Sequence, residues 1–137
     1  MAFIQYEDYR PQIHEEILNV ILRDDEEILT LAEERAIGEM KSYLSARYDT
    51  EQIFNKTGKE RNSVVLMFAI DMVIYHLHCA HNPQKMADIR VKRYERAISW
   101  LKGVQALNIN PDLPLLQPRE ETAYVLTSSN RKRNNYF

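Results

Sequence analysis

Apolar residues recur at helical spacing in four stretches of the chain, which predicts four helices. In the first stretch, Pro11 fits the opening position of a helix, where its missing N–H costs nothing. Inside a longer helix this proline would remove a backbone donor, so Tyr6–Arg10 is predicted to form a separate turn. The apolar set of this first helix is Ile13, Ile17, Leu18, Ile21 and Leu22.

The second predicted helix runs from about 26 to 47. Asp24 or Asp25 can cap its first backbone N–H groups, and Glu26 and Glu27 favour the positive end of the helix dipole. Residues 48–62 break the apolar periodicity and are predicted to form a surface loop. The apolar side of the second helix consists of Ile28, Leu31, Ala32, Ala36, Met40, Tyr43 and Leu44.

The third predicted helix, about 62–81, is apolar almost all round, which predicts a central position or cover by another subunit. Its Asp71 needs a buried partner, because an unpaired carboxylate is costly in an apolar interior. Three arginines are candidates for that partner, and they are Arg47, Arg90 and Arg96. The fourth helix, about 84–107, has an apolar stripe and a basic opposite side that includes Arg90, Arg93 and Arg96.

The pattern stops at Asn108, after which three prolines favour extended chain. The sequence therefore predicts an all-α fold: a bundle of about four helices over residues 1–107 and an extended C-terminal arm over 108–137. A length of 137 residues suits one domain. A single cysteine excludes an intramolecular disulfide scaffold and suits a reducing compartment.

Two further segments bear on where the chain resides. The start of the sequence has acidic residues and no apolar core region, so it is not a secretory signal. Val64–Ala80, the longest apolar run, is interrupted by polar residues and is shorter than the ~18–20 residues that span a bilayer. We therefore expect no membrane-spanning segment.

Charge is distributed unevenly along the chain. Residues 1–51 hold 13 acidic and 5 basic residues, whereas residues 52–137 hold 7 and 13, within a net charge of −2. Either the halves average out in three dimensions, or they form surfaces of opposite sign that meet on neighbouring molecules. In the second case the acidic face comes from Asp24, Asp25, Glu26 and Glu27, and the basic one from Arg90, Arg93, Arg96, Arg131, Lys132 and Arg133.

The chemistry that the sequence offers is limited. His76, His78, Cys79 and His81 have metal-ligand side chains, but a tetrahedral site needs three or four converging ligands, usually from two elements. The polar end of a core helix explains this cluster better than a metal-binding enzyme does. No nucleophile or phosphate-binding motif is present, so we expect no enzyme and no cofactor.

The segments also have a familiar order: FIQYEDYRPQI at the start, KSYLSARYD ending the second helix, IYHLH ending the third, and VKRYERAISWLKGV in the fourth. This order resembles the Mu-type family of small tailed-phage proteins and is similar to that of head–tail connector, or neck adaptor, proteins. The resemblance covers about residues 1–116. From Arg119 onward the tail has no counterpart, and Asn108 stands where such proteins commonly have a glycine.

The resemblance implies a virion protein without catalysis or cofactor, made in the bacterial host cytoplasm and placed in the neck of the phage. It implies a homo-oligomeric ring, for which twelve copies is the common number, with the portal protein and tail or stopper proteins as partners. DNA would only pass through as cargo, and no membrane is involved. The alternative is a small helical regulator or adaptor that binds a protein or DNA through its basic tail.

Overall fold

The computed structural model describes residues 2–23, 25–81 and 83–117. These residues form five α-helices and no strand, which confirms the all-α prediction. The helices are α1 (Glu15–Leu22), α2 (Glu26–Leu44), α3 (Thr50–Phe54), α4 (Ser63–His81) and α5 (Asp88–Gln105). Three short 3₁₀ turns, Tyr6–Tyr9, Gly58–Glu60 and Pro83–Lys85, lie between them or ahead of them.

Side-chain caps set where two of the long helices begin. Asp25 accepts a hydrogen bond from the Glu27 N–H at 3.1 Å, as predicted for the start of α2. Asn62 accepts from the N–H groups of Val64 and Val65, both at 3.0 Å, and so caps α4. Both helices therefore begin within one residue of the predicted positions, although α2 ends at 44 rather than 47.

Helix α4 is the centre of the bundle, as its all-round apolar sequence predicts. It packs against α1, α2 and α5, while α2 and α5 also touch each other. Every residue from Ala69 to Ile74 is buried, so no side of this stretch faces water. The core that surrounds it is completed by Met40 and Leu44 of α2 and by Leu101 and Val104 of α5.

The length argument against a membrane span is wrong for this helix. Ser63–His81 has 19 residues and a mean hydropathy of 1.7 over an 18-residue window, which is long and apolar enough to cross a bilayer. Half of that window is buried inside the protein. The core helix of a soluble protein meets the same criteria, so this helix is weak evidence for a membrane span.

Three other boundaries differ from the predictions, each for a local reason. The first helix begins at Glu15, four residues after Pro11, because the His14 ring accepts the Glu16 N–H at 3.3 Å. The predicted loop 48–62 contains α3, whose Ile53 and Phe54 are buried. The fourth helix begins at 88 rather than 84, since a 3₁₀ turn occupies the preceding residues. The separate turn predicted at residues 6–10 is confirmed as a 3₁₀ turn.

Arg61 fastens the N-terminal segment to the bundle. Its Nη1 donates to the Phe3 carbonyl at 2.7 Å, and its Nη2 donates to Asp8 Oδ1 at 3.0 Å. Burial raises the pKa of Asp8, but the hydrogen bonds from Arg61 and from the Gln5 N–H outweigh it, so this pKa lies below its ordinary value. Asp8 therefore adds stability above its unfolded-state pKa, and that contribution is lost as the pH falls through the folded-state pKa.

The exit from α5 turns back onto the body of the protein. The Gly103 carbonyl accepts from the N–H groups of Asn108 (2.8 Å) and Ile109 (3.1 Å), and Leu107 adopts a φ of 67°. The chain then runs extended, and Leu115 pairs with Tyr48 in a single antiparallel bridge. Residues 108–117 of the predicted arm thus contact their own chain.

Two helical glycines give a matched stability prediction. An ideal Cβ at Gly38 meets nothing within 4 Å, so Gly38→Ala should stabilise the protein by about 0.5–1 kcal/mol. At Gly103 the Cβ would lie 2.6 Å from Ile109 Cδ1, which forces that side chain to move. In urea titrations we expect the free energy of unfolding of Gly103→Ala to be at least about 1 kcal/mol lower than that of Gly38→Ala. Equal stabilisation by both would contradict the tight packing of Ile109.

Candidate functional site

The predicted acidic interface lies at the junction of α1 and α2, beside an open groove of about 460 Å³. Asp25 and Glu26 line this groove, and Glu27 is exposed next to it. Asp24 lies outside the described residues. None of these three described acids has a cation within 4 Å among the residues that the structure places. We call this cavity the acidic groove; its other lining residues are Tyr6, Asn19, Leu22, Leu29 and Thr30.

A second groove, of about 420 Å³, lies between α1 and the C-terminal end of α4. Ile17 and Val20 of α1 are 51% and 63% exposed there, which is high for aliphatic side chains. His78, His81 and Lys85 line its other side. We call this cavity the basic groove; Glu16 and Ile21 complete its lining.

The protonation state of His78 in the basic groove depends on burial and on nearby charges. Burial lowers the pKa of His78, and the nearby charges of Arg90 and His81 lower it further. Neutral His78 therefore presents a polar ring at neutral pH, while Lys85 supplies positive charge. Glu16 is the single acidic residue among those that line this groove.

The three predicted basic residues of α5 contact either the buried Asp71 or Gln12, which is hydrogen-bonded to Asp71. Arg96 Nη2 lies 3.4 Å from Asp71 Oδ2, so the predicted partner is found among the three candidates. Arg90 Nη2 donates to the Gln12 carbonyl at 2.9 Å, and Arg93 Nη1 approaches the same oxygen at 3.5 Å. The predicted basic face is therefore partly engaged in intramolecular hydrogen bonds.

Gln12 completes this cluster, and sequence reasoning missed it. Its Nε2 donates to Asp71 Oδ1 at 2.8 Å and to the Met67 carbonyl at 3.0 Å. The glutamine lies directly after Pro11 in a turn, where no periodic pattern marks it as inward-facing. Arg47, another candidate partner for Asp71, instead donates to Asn110 at 3.3 Å.

The arginine cluster keeps an excess of positive charge. Of the three guanidinium groups, only that of Arg96 pairs with a carboxylate among the described residues, and the Arg96 side chain remains 56% exposed. Burial lowers the pKa of Arg90, as does the charge of Arg93, whereas Asp71 opposes both. Within the described residues, the buried Nη1 of Arg90 has no hydrogen-bond partner. This face of α5 is thus suited to meeting an acidic surface.

A family model for bacteriophage Mu Gp36 matches residues 3–127. The chain belongs to the Mu Gp36 family. This match confirms the resemblance to Mu-type phage proteins, and it extends beyond the part that the sequence motifs suggested. A comparison with curated proteins and with solved structures gives no significant match.

The family match also corrects the reading of the tail of this Gp36-family chain. No counterpart was expected from Arg119 onward, yet the match continues to residue 127. The remaining predicted interface residues, Arg131, Lys132 and Arg133, lie beyond the match and outside the described residues.

The sequence predicted that the histidines near the end of α4 do not form a metal site. In the structure of this Gp36-family chain, they point in different directions. His78 and His81 line the basic groove, whereas His76 lies 3.7 Å from Glu39 on the side facing α2. Among the described residues, no group of three or more His, Cys, Asp or Glu side chains could hold a metal ion. Cys79 is exposed.

A second polar cluster, not foreseen from the sequence, ties α2, α4 and α5 together. The Tyr94 hydroxyl lies 3.0 and 2.9 Å from the two Glu39 carboxylate oxygens, and the Tyr94 ring stacks on Tyr75 with centroids 3.9 Å apart. Burial and the adjacent Glu39 raise the pKa of Tyr94. The Tyr94 hydroxyl therefore stays protonated and serves as a structural donor.

Proposed function

We propose that this Gp36-family protein is a non-enzymatic structural protein of the phage virion, located at the head–tail junction. It assembles as a homo-oligomeric ring that binds the portal protein on one side and tail or stopper proteins on the other. DNA passes through the ring as cargo. Membership of a phage family and the helical bundle are the established basis for this proposal.

One observation carries the proposal. The protein exposes two surfaces of unlike character, the acidic first turns of α2 and the basic groove, and aliphatic side chains on both remain open to solvent. A closed ring is built from heterologous contacts, in which each subunit offers two different and mutually complementary surfaces. Exposed aliphatic residues such as Val20 and Leu31 give such contacts an apolar centre.

The remaining polar clusters support a structural role. Asp71 with its arginines, and Glu39 with Tyr94, each join helices that are distant in the sequence. Hydrogen bonds of this kind fix one arrangement of the bundle. Because a ring multiplies any error in subunit shape, a rigid body suits this function.

Electron microscopy of the purified full chain tests the proposal. We expect rings, either of the protein alone or after addition of the portal protein, together with a matching mass by light scattering. A monomer at all concentrations that is unchanged by portal would contradict it.

Deleting residues 131–137 separates a connector from a small regulator that binds nucleic acid through its basic tail. A regulator should lose salt-dependent affinity for DNA on deletion. A connector is expected to show no such affinity at physiological salt, and any effect of the deletion should fall on assembly.

A further inference from the structure

Helix α1 separates two surfaces that face in opposite directions. Ile17 and Val20 line the basic groove, toward α4, whereas Asn19 and Leu22 line the acidic groove, toward α2. Successive helix residues are about 100° apart, so Asn19 and Leu22 lie roughly 200° and 140° around the axis from Ile17. The two sides of α1 are therefore presented to different neighbours.

The outer face of α2 carries a ridge that matches the basic groove. Glu27, Leu31 and Glu34 share this face, opposite the buried Ala36 and Met40, and Ile28 lies at its edge; all four are exposed. Two aliphatic side chains thus lie between two carboxylates. We call this surface the acidic ridge.

The charge around the ridge is strongly negative. Between residues 26 and 35 there are four glutamates and one arginine, Arg35. No cation lies within 4 Å of Glu27 or Glu34 among the described residues. The ridge therefore offers a convex apolar strip with unpaired acidic flanks.

The basic groove offers an apolar strip and one lysine to the ridge, with Glu16 as the one acid of its lining. Its exposed Ile17 and Val20 form an apolar strip, and Lys85 supplies a cation at the rim. The charge of Arg90 lowers the pKa of His78, so a second cation of α5 acts on the groove from outside its lining. An amphipathic helix that lies in such a groove is a recurrent mode of protein recognition.

We propose that the acidic ridge of one copy docks into the basic groove of the next copy. Ile28 and Leu31 then cover Ile17 and Val20, and Glu27 and Glu34 face the rim of Lys85 and His81. This inference rests on the proposed ring and specifies its subunit contact. Since ridge and groove are different surfaces of one chain, the contact is heterologous and can repeat around a ring.

Charge reversal in two variants of the full chain tests this contact. The ridge variant is Glu27→Lys with Glu34→Lys, and the groove variant is His81→Glu with Lys85→Glu. Each variant alone brings like charges together at the contact. We therefore expect the protein concentration at which half of the chains are assembled, measured by sedimentation velocity, to rise at least about tenfold. A 1:1 mixture should assemble again, because alternating copies restore opposite charges at every contact.

Two controls separate a loss of the contact from a general effect of charge or of misfolding. Glu60→Lys with Glu95→Lys changes the net charge by the same amount as the ridge variant, at exposed positions outside ridge and groove. We expect it to assemble like the wild type. Circular dichroism verifies folding, and the milder Glu27→Gln with Glu34→Gln variant replaces the ridge variant if that one unfolds.

The possible failures are distinguishable. If the wild type forms no oligomer with or without portal, the proposed function fails. If the wild type assembles but the ridge and groove variants assemble equally well, the ring remains and the docking inference is overturned. Loss of assembly that the mixture does not restore also overturns the pairing of ridge with groove.

Discussion

Leu101→Ala is expected to lower the free energy of unfolding by about 3 kcal/mol. Leu101 is fully buried on the inner side of α5 and belongs to the core cluster that surrounds α4. Truncation removes apolar contacts and leaves a cavity between helices that are held on several sides. Urea denaturation followed by circular dichroism measures this loss.

Leu107→Ala is the matched control for this substitution. Leu107 lies just past the end of α5 and is 59% exposed, so the same change should alter stability by less than about 0.5 kcal/mol. A similar loss at both positions would mean that burial does not decide the effect. It would also contradict the placement of Leu101 in the core.

Asp71→Ala is expected to lower the free energy of unfolding by about 2 kcal/mol, the second largest effect, because it leaves hydrogen-bond donors at a buried position without their acceptor. Asp71 is only 2% exposed and accepts from Gln12 while pairing with Arg96. Without the carboxylate, the guanidinium group of Arg96 loses its ion-pair partner and the side-chain amide of Gln12 loses an acceptor. Asp71→Asn keeps the side-chain volume and a hydrogen-bonding oxygen, so it should retain part of the lost stability.

Asp88→Ala is the control for the buried aspartate. Asp88 is exposed in the first turn of α5, where a carboxylate gains only about 0.3–1 kcal/mol from the helix dipole. If Asp71→Ala cost no more than Asp88→Ala in the same unfolding titration, the buried cluster would not hold the bundle together.

The long helices could be predicted because their apolar periodicity and their caps agree. Asp25 marks the start of α2, and the apolar run that follows Asn62 marks α4 as central. The pairing of Asp71 could also be predicted, because a lone acidic residue in an apolar helix needs a partner. Arg96 is that partner. These features depend on residues that are close together in the sequence or on the rule that a buried carboxylate needs a partner.

The features that escaped prediction depend on tertiary contacts. Helix α3 has only five residues, too few to show a period, and forms because Ile53 and Phe54 reach the core. Gln12 carries no signal of its own, because its role comes from the position of Asp71 59 residues later. The basic groove likewise exists only once α1 lies against the end of α4, so its lining could not be read from spacing.

The enclosure of α4 has a consequence for how the protein opens. Backbone amides from Ala69 to Ile74 lie in a helix without a wet side, so they exchange with solvent hydrogen only when the packed helices separate as a unit. The short α1, in contrast, has exposed apolar residues and can fray on its own. Association with a neighbour would therefore slow exchange first at this outer helix, while the central one already sets the upper limit of protection.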